Sequence, residues 1–198
     1  MPEPPSRSLI AQPEFRALVV ARATNALAIS ALVTVVAFQV YELTHDPLSL
    51  GWLGLVEAIP ALGLVLFGGH LADRRERRGI VLTTSALVTL CALALAAQAA
   101  LGATLVGILA VIFLNGVGSG FERPALTALE AQVVPRADAV RGVSLLGTVS
   151  QSGAIIGPAA GGIAIVVLGI PLTYLAIAAL LAASTISLAT IAPKPGAA

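Results

Sequence analysis

Five polar side chains stand inside long apolar runs of this chain and are the first candidates for chemistry: Arg22, Asn25, Gln39, Glu57 and Asn115. A carboxyl group that gains and loses a proton away from bulk water is what a proton-coupled carrier needs, and Glu57 lies about one to two turns inside its run. The plainer role for Glu57 is snorkelling to the nearer surface or pairing with a polar neighbour. Arg22 either lines a central cavity, with Asn25 one turn further in, or snorkels to its own surface. Arg22 and Glu57 start from opposite surfaces, which puts them too far apart to pair. Gln39 and Asn115 suit a cavity wall, or equally a bond to a neighbouring helix backbone.

Two further constellations carry charge and shape. Four of the eleven basic residues crowd into positions 69–78, where Gly69, Asp73, Arg74, Arg77 and Arg78 stand together. Asp73 and Arg74 end one apolar run, and Glu122 and Arg123 end another. Opposite charges at two helix ends suit an inter-helix clasp that biases which conformation is populated. Arg77 and Arg78 serve equally well to bind anionic headgroups. Gly153, Gly157 and Gly161 recur every four residues, within a wider cluster that includes Gly147, Ser150 and Ala160. Small residues at that spacing let two helices approach closely in lipid, as a static contact or as one that opens and closes a pathway. Pro158, beside them, frees a backbone carbonyl and bends the helix where it packs.

Other chemistries find no support in the residues. There is no His-Glu-x-x-His and no phosphate-binding loop ending in Gly-Lys-Ser/Thr, and His45 and His70 fall at opposite faces of the membrane. Glycines 116, 118 and 120 lie inside an apolar run with no strand before them, so helix packing explains them better than a nucleotide. Cys91 is the single cysteine and reads as a packed small side chain. No metal, cofactor or nucleic acid is expected, and the arginine cluster is too short and too near lipid to hold a nucleic acid. Nor is the chain expected to be an enzyme.

The elements that position these residues follow from composition. Of 198 residues 58% are hydrophobic and 11% charged, and the mean hydropathy is +0.98. Soluble domains carry roughly 25% charged residues, so lipid is the main solvent of this fold. No charge occurs over 79–121 or 142–193. A single helix over 79–121 would be roughly 65 Å long, about twice a bilayer's hydrocarbon core, so each interval holds two spans. The expectation is an all-α, polytopic membrane protein with six transmembrane helices near 15–41, 50–72, two within 79–121 with a turn near 99–103, 139–168 and 172–191. Pro124 kinks the fourth span or opens a short interfacial helix whose greasy face is Leu126, Leu129 and Val133. Residues 1–14 form a tail, 15–191 the bundle, and 192–198 a second tail or the start of a linker. The first run lacks a cleavage site followed by a soluble domain and stays in the membrane. Arg7, Arg16, the arginine cluster, Arg123, Arg136, Arg141 and Lys194 fall on one side, and Glu42 and Asp46 on the other. Both termini are therefore expected in the cytoplasm, with Tyr41, Trp52 and Tyr174 near the outer interface.

The segment 69–78 resembles the loop between spans two and three of the major facilitator superfamily, Gly-x-x-x-Asp-Arg-x-Gly-Arg-Arg. Gly69, Asp73, Arg74, Arg77 and Arg78 match, and Glu76 stands at the usual second glycine. Arg123-Pro124-Ala125 with Leu129 and Val134-Pro135-Arg136 resembles the loop between spans four and five of the bacterial exporter branch that handles siderophores and drugs. Gly157-Pro158-x-x-Gly161-Gly162 is similar to the span-five signature of antiporters.

The resemblance implies half of a major facilitator fold, normally two six-helix halves around a central cavity. It implies proton-coupled efflux of a small-molecule substrate, a drug or a siderophore, by alternating access in the bacterial cytoplasmic membrane. Asp73, Arg74, Arg77 and Arg78 take gating roles, and Gly157 and Pro158 the span-five contact. A second six-helix half is the implied partner, so the chain is expected to be a fragment or truncated product rather than a half-size carrier. The alternatives are an inactive or regulatory half-size protein, and an intramembrane enzyme, which needs polar side chains converging at one depth.

Overall fold

The computed structural model describes residues 9–72 and 77–191, with side chains described at all of these but 61, 64–72, 77, 78, 123 and 136. Among the described residues the chain forms six α-helices: α1 (Pro13–Thr44), α2 (Leu48–Ala72), α3 (Arg77–Leu101), α4 (Leu105–Val133), α5 (Ala139–Leu168) and α6 (Ile170–Ala189). Five of them, all but α2, are long and apolar enough to cross a membrane within their described residues, and α2 contributes the apolar stretch Leu48–Pro60.

The breaks between helices fall where local chemistry provides them. His45 takes a left-handed conformation after α1 and returns its N–H to the Tyr41 carbonyl, and Asp46 Oδ1 accepts the Leu48 N–H to turn the chain into α2. Gly102 and Gly169 supply the positive φ angles that end α3 and α5. Thr104 caps α4 by accepting the Gly107 N–H. The α3–α4 break thus falls at 102–104, and only Gly169 separates α5 from α6.

Helices pack in a repeating scheme. α1 lies chiefly on α5 and α6, α4 on α2 and α3, and α3 on α6. Shifting every helix by three along the chain reproduces this set of neighbours, as for a bundle made of two three-helix repeats. Two apolar clusters fill it. One, around Val35, Leu95, Ile108 and Ile177, lies toward the end with the short helix connections. The other, around Phe15, Leu18, Leu126 and Leu188, lies toward the end where α1 begins.

Two expectations are corrected here. α4 runs through Pro124 to Val133 without a break, and Leu126, Leu129 and Val133 are buried against α1 rather than lying on a lipid surface. A proline removes one helical hydrogen bond and crowds the carbonyl four residues back. That carbonyl belongs to Gly120, which adds no side chain to the crowding, and burial of the following turns offsets the loss. Tyr174 is wholly buried, its hydroxyl donating to Gln39 Oε1 at 2.8 Å, whereas Tyr41 and Trp52 are exposed as expected of interfacial rings. The α1 helix also starts earlier than the apolar pattern suggests, and Leu9 in the turn before it is buried in the core.

Candidate functional site

On α1, α3, α4 and α6 the chain passes from one apolar cluster to the other through polar positions: Arg22 and Asn25, Ser85, Asn115 and Glu122, and Ser184. Each is inside the bundle because its helix is continuous across the level, and most are satisfied by a neighbouring helix. Ser85 donates to Glu122 Oε1 at 2.9 Å. Ser184 donates to the Ala21 carbonyl at 3.0 Å. Buried polar groups need such partners, since an unmet one costs about 1–3 kcal/mol.

Two charge-bearing pairs tie helices together. Arg22 Nε donates to Glu130 Oε1 at 2.5 Å, linking α1 to α4, with the arginine side chain 29% and the glutamate 13% exposed. Asn115 Nδ2 donates to Glu57 Oε1 at 3.3 Å, linking α4 to α2. Arg22 and Glu57 do not meet, as their depths predict, but each has found a partner that the sequence did not announce. Asn25 is half-buried next to Arg22, and its side chain bonds to none of the described residues. Gln39 is drawn to Tyr174 of α6, nearer the α1–α2 connection than the other candidates.

Glu130, the partner of Arg22, is the residue of this polar level that the sequence missed. Of the two readings of Pro124, the one that opens a surface helix takes everything after it out of the bundle. Carrying the apolar period of Leu126, Leu129 and Val133 inward would have brought Glu130 with it. The same error put Glu122 at a helix end. It is 7% exposed, on Ser85, about 16 Å before the end of α4. The expected clasp is not assembled from described groups: Asp73 and Arg74 lie outside the described residues, as does the side chain of Arg123. Gly69 lies in the last turn of α2, which ends at Ala72, and Arg77 and Arg78 open α3.

The glycines of α5 behave as their spacing predicts. A methyl group added at Gly157 would stand 2.5 Å from Ser30 Cβ and 2.8 Å from the Leu27 carbonyl oxygen, and one at Gly153 would stand 2.7 Å from Ala26 Cβ. A methyl group at Gly161 would stand 3.2 Å from Ala31, whereas one at Gly147 or Gly162 would meet nothing within 4 Å. Pro158 is exposed beside this seam. On α4, Gly116 lies against the Glu57 carbonyl and Pro60 of α2, and Gly118 against Val88 of α3, so this glycine run packs helices. The outward side of α5 carries an open groove lined by Arg141, Ser144 and Thr148 among apolar neighbours.

Residues 18–197 match the profile of the Major Facilitator Superfamily. The chain belongs to that superfamily. Solved structures with the same fold include PepTSo, a POT family transporter, with a TM-score of 0.76 at 14% identity over 88% of this chain and 36% of that one. POT family transporters in complex with 5-aminolevulinic acid and with a thioalcohol conjugated peptide match with a TM-score of 0.75 at 18% identity, over 87% of this chain and 37% of theirs. This major facilitator chain thus spans little more than a third of the transporters it resembles. No curated protein matches it in sequence. The fold is the six-helix half of a major facilitator, and the chain is a multi-pass membrane protein of that superfamily.

Proposed function

We propose that the chain is the N-terminal half of a secondary active transporter that exports a small organic compound, a drug or a siderophore, in exchange for protons. The observation that carries this reading is the polar level between the two apolar cores. Intramembrane ionisable and amide groups are retained where substrates or ions pass, and transporters of this architecture bind near the bilayer midplane. Arg22, Asn25, Gln39, Glu57 and Asn115 are the pathway residues. An intramembrane enzyme also needs polar groups at one depth. Here most of them are held in hydrogen-bonded pairs, so we read a carrier that breaks no covalent bond.

The α1–α5 glycine seam supports alternating access, because a contact without side chains lets one helix slide over another. The seam carries the Gly157-Pro158 pattern similar to antiporters. Gly69, Asp73, Arg74, Arg77 and Arg78 act as the gate, together with Glu122 and Arg123. A second six-helix half, C-terminal to this one or on another subunit, faces α5. Only 17% of the apolar window of α5 is buried, against 39–44% in the other four spans, which leaves that helix in want of a partner. Arg16 and Arg141 start helices at one end of the bundle while Glu42 and Asp46 lie at the other, which supports both termini in the cytoplasm of a bacterial cell, with lipid around the helices.

The test is reconstitution in proteoliposomes with and without a candidate second half, following efflux of fluorescent drugs and ferric siderophores under an imposed pH gradient. Flux that needs the second half and the gradient, and is lost in Asp73→Asn, is expected. Flux indifferent to the gradient overturns proton coupling. No flux with any second half favours the alternative, a regulatory half-size protein that acts only by pairing.

A further inference from the structure

Asn115 holds a polar atom that its surroundings leave unmet. The side chain is 4% exposed, and while its Nδ2 donates to Glu57, its Oδ1 is buried with no hydrogen-bond partner. Buried acceptors in native structures are rarely left so, and each one asks for an explanation. Glu57 is half-buried and has no cationic partner among the described residues. The two groups are held in register by backbone: Gly116, next to Asn115, closes on the Glu57 carbonyl and on Pro60. Pro60 in turn leaves the Val56 carbonyl without its helical donor, so α2 is weakest beside the carboxylate.

We propose that Glu57 and Asn115 form a proton-reading pair, in which Asn115 turns its amide over when Glu57 takes up a proton. With the carboxylate charged, the amide N–H donates to Oε1. When a proton from water binds a carboxylate oxygen, that oxygen becomes a donor, and a half-turn about the Asn115 Cβ–Cγ bond brings Oδ1 round to accept it. One O–H bond forms on the carboxyl as one breaks in a hydronium ion, which leaves as water, and one negative charge is cancelled. The acceptor that is orphaned in one state is the partner in the other.

Other titratable groups on the helices packed against α2 are engaged elsewhere or stand at the ends. On α4, Glu122 is about two turns further along and bonded to Ser85, and Glu130 is bonded to Arg22. On α1, Glu14 and Arg16 lie at one end and Tyr41, Glu42 and His45 at the other, with Asp46 in the connection to α2. Among the described residues the pair therefore has no neighbouring charge to relay protons. It rests on the proton-coupled reading above and adds to it the site and the residue that senses occupancy.

The test is pH-difference infrared spectroscopy on the chain in lipid nanodiscs, in sodium-free buffer, with asparagine side chains isotope-labelled. Acidification is expected to raise a carboxylic C=O band that is absent in E57Q, together with a change in the asparagine amide bands at the same pH. In N115L the carboxylic band moves to higher wavenumber, because its O–H has lost the acceptor, and N115A gives the same shift should the leucine not fit. A band unmoved in both variants, or an amide signal that ignores pH, overturns the pair, as does a signal that needs sodium ions rather than protons. In the flux assay N115L is expected to lower gradient-driven transport about tenfold to a hundredfold, as for one hydrogen bond to a charged group. Gradient-driven flux that survives E57Q unchanged would sink the coupling role while leaving the spectroscopic pair in place, so the two failures are told apart.

Discussion

The α1–α5 crossing and the α2–α4 crossing occupy equivalent places in the two three-helix repeats, and they are built differently. Each has glycine at the contact and a proline on the outer helix. At α1–α5 three glycines close on Ala26, Leu27, Ser30 and Ala31, and among the described residues no side-chain hydrogen bond crosses the seam. At α2–α4 a single glycine, Gly116, meets a buried Pro60, and the Glu57–Asn115 bond fixes the register. The first contact is smooth and specifies distance; the second specifies position along the helix as well. Sliding between alternative arrangements suits the first, and sensing a proton suits the second.

Four substitutions would break or sharpen this contrast, with stability read by thermal unfolding in detergent. Gly157→Leu drives a side chain into Ser30 and the Leu27 carbonyl, and a loss of about 3 kcal/mol or more, with α5 released from α1 to inter-helix cross-linking, is expected. Gly116→Ala places its methyl 2.5 Å from the Glu57 carbonyl oxygen and 2.8 Å from Pro60 Cγ, at a cost of about 1–3 kcal/mol and with a disturbed carboxylic band at Glu57. Equal tolerance of alanine at 116 and at 147 would erase the difference drawn between packed and open glycines. Glu130→Ala leaves Arg22 partly buried without its carboxylate, costing about 1–2 kcal/mol given how much of the pair is still reached by solvent. Gly147→Ala, in the same helix as Gly157 but with open space around it, should leave stability unchanged or raise it by about 0.5–1 kcal/mol.

Much of the fold was legible because it is written in one dimension. The 139–168 span is found as α5, Ala139–Leu168, since charge bounds it on one side and Gly169 on the other. The glycine seam was legible because its spacing is a helical face. Of the two readings of Pro124, the one that opens a separate surface helix fails, because what keeps α4 whole is apolar burial contributed by other helices, which no local pattern carries. Tyr174 was misread for a like reason: a tyrosine near a helix end suits the interface until a partner such as Gln39 is supplied from another helix.

The sequence by itself determined that lipid is the solvent, where the spans lie, and which helix face of α5 is bare, because run length, charge spacing and glycine period are local properties of a chain. Only the tertiary structure decided that Arg22 meets Glu130, that Glu57 meets Asn115 and that Gln39 meets Tyr174. Those pairings depend on how each helix is rotated and which helix stands beside it, and side-chain packing summed over the whole bundle sets both.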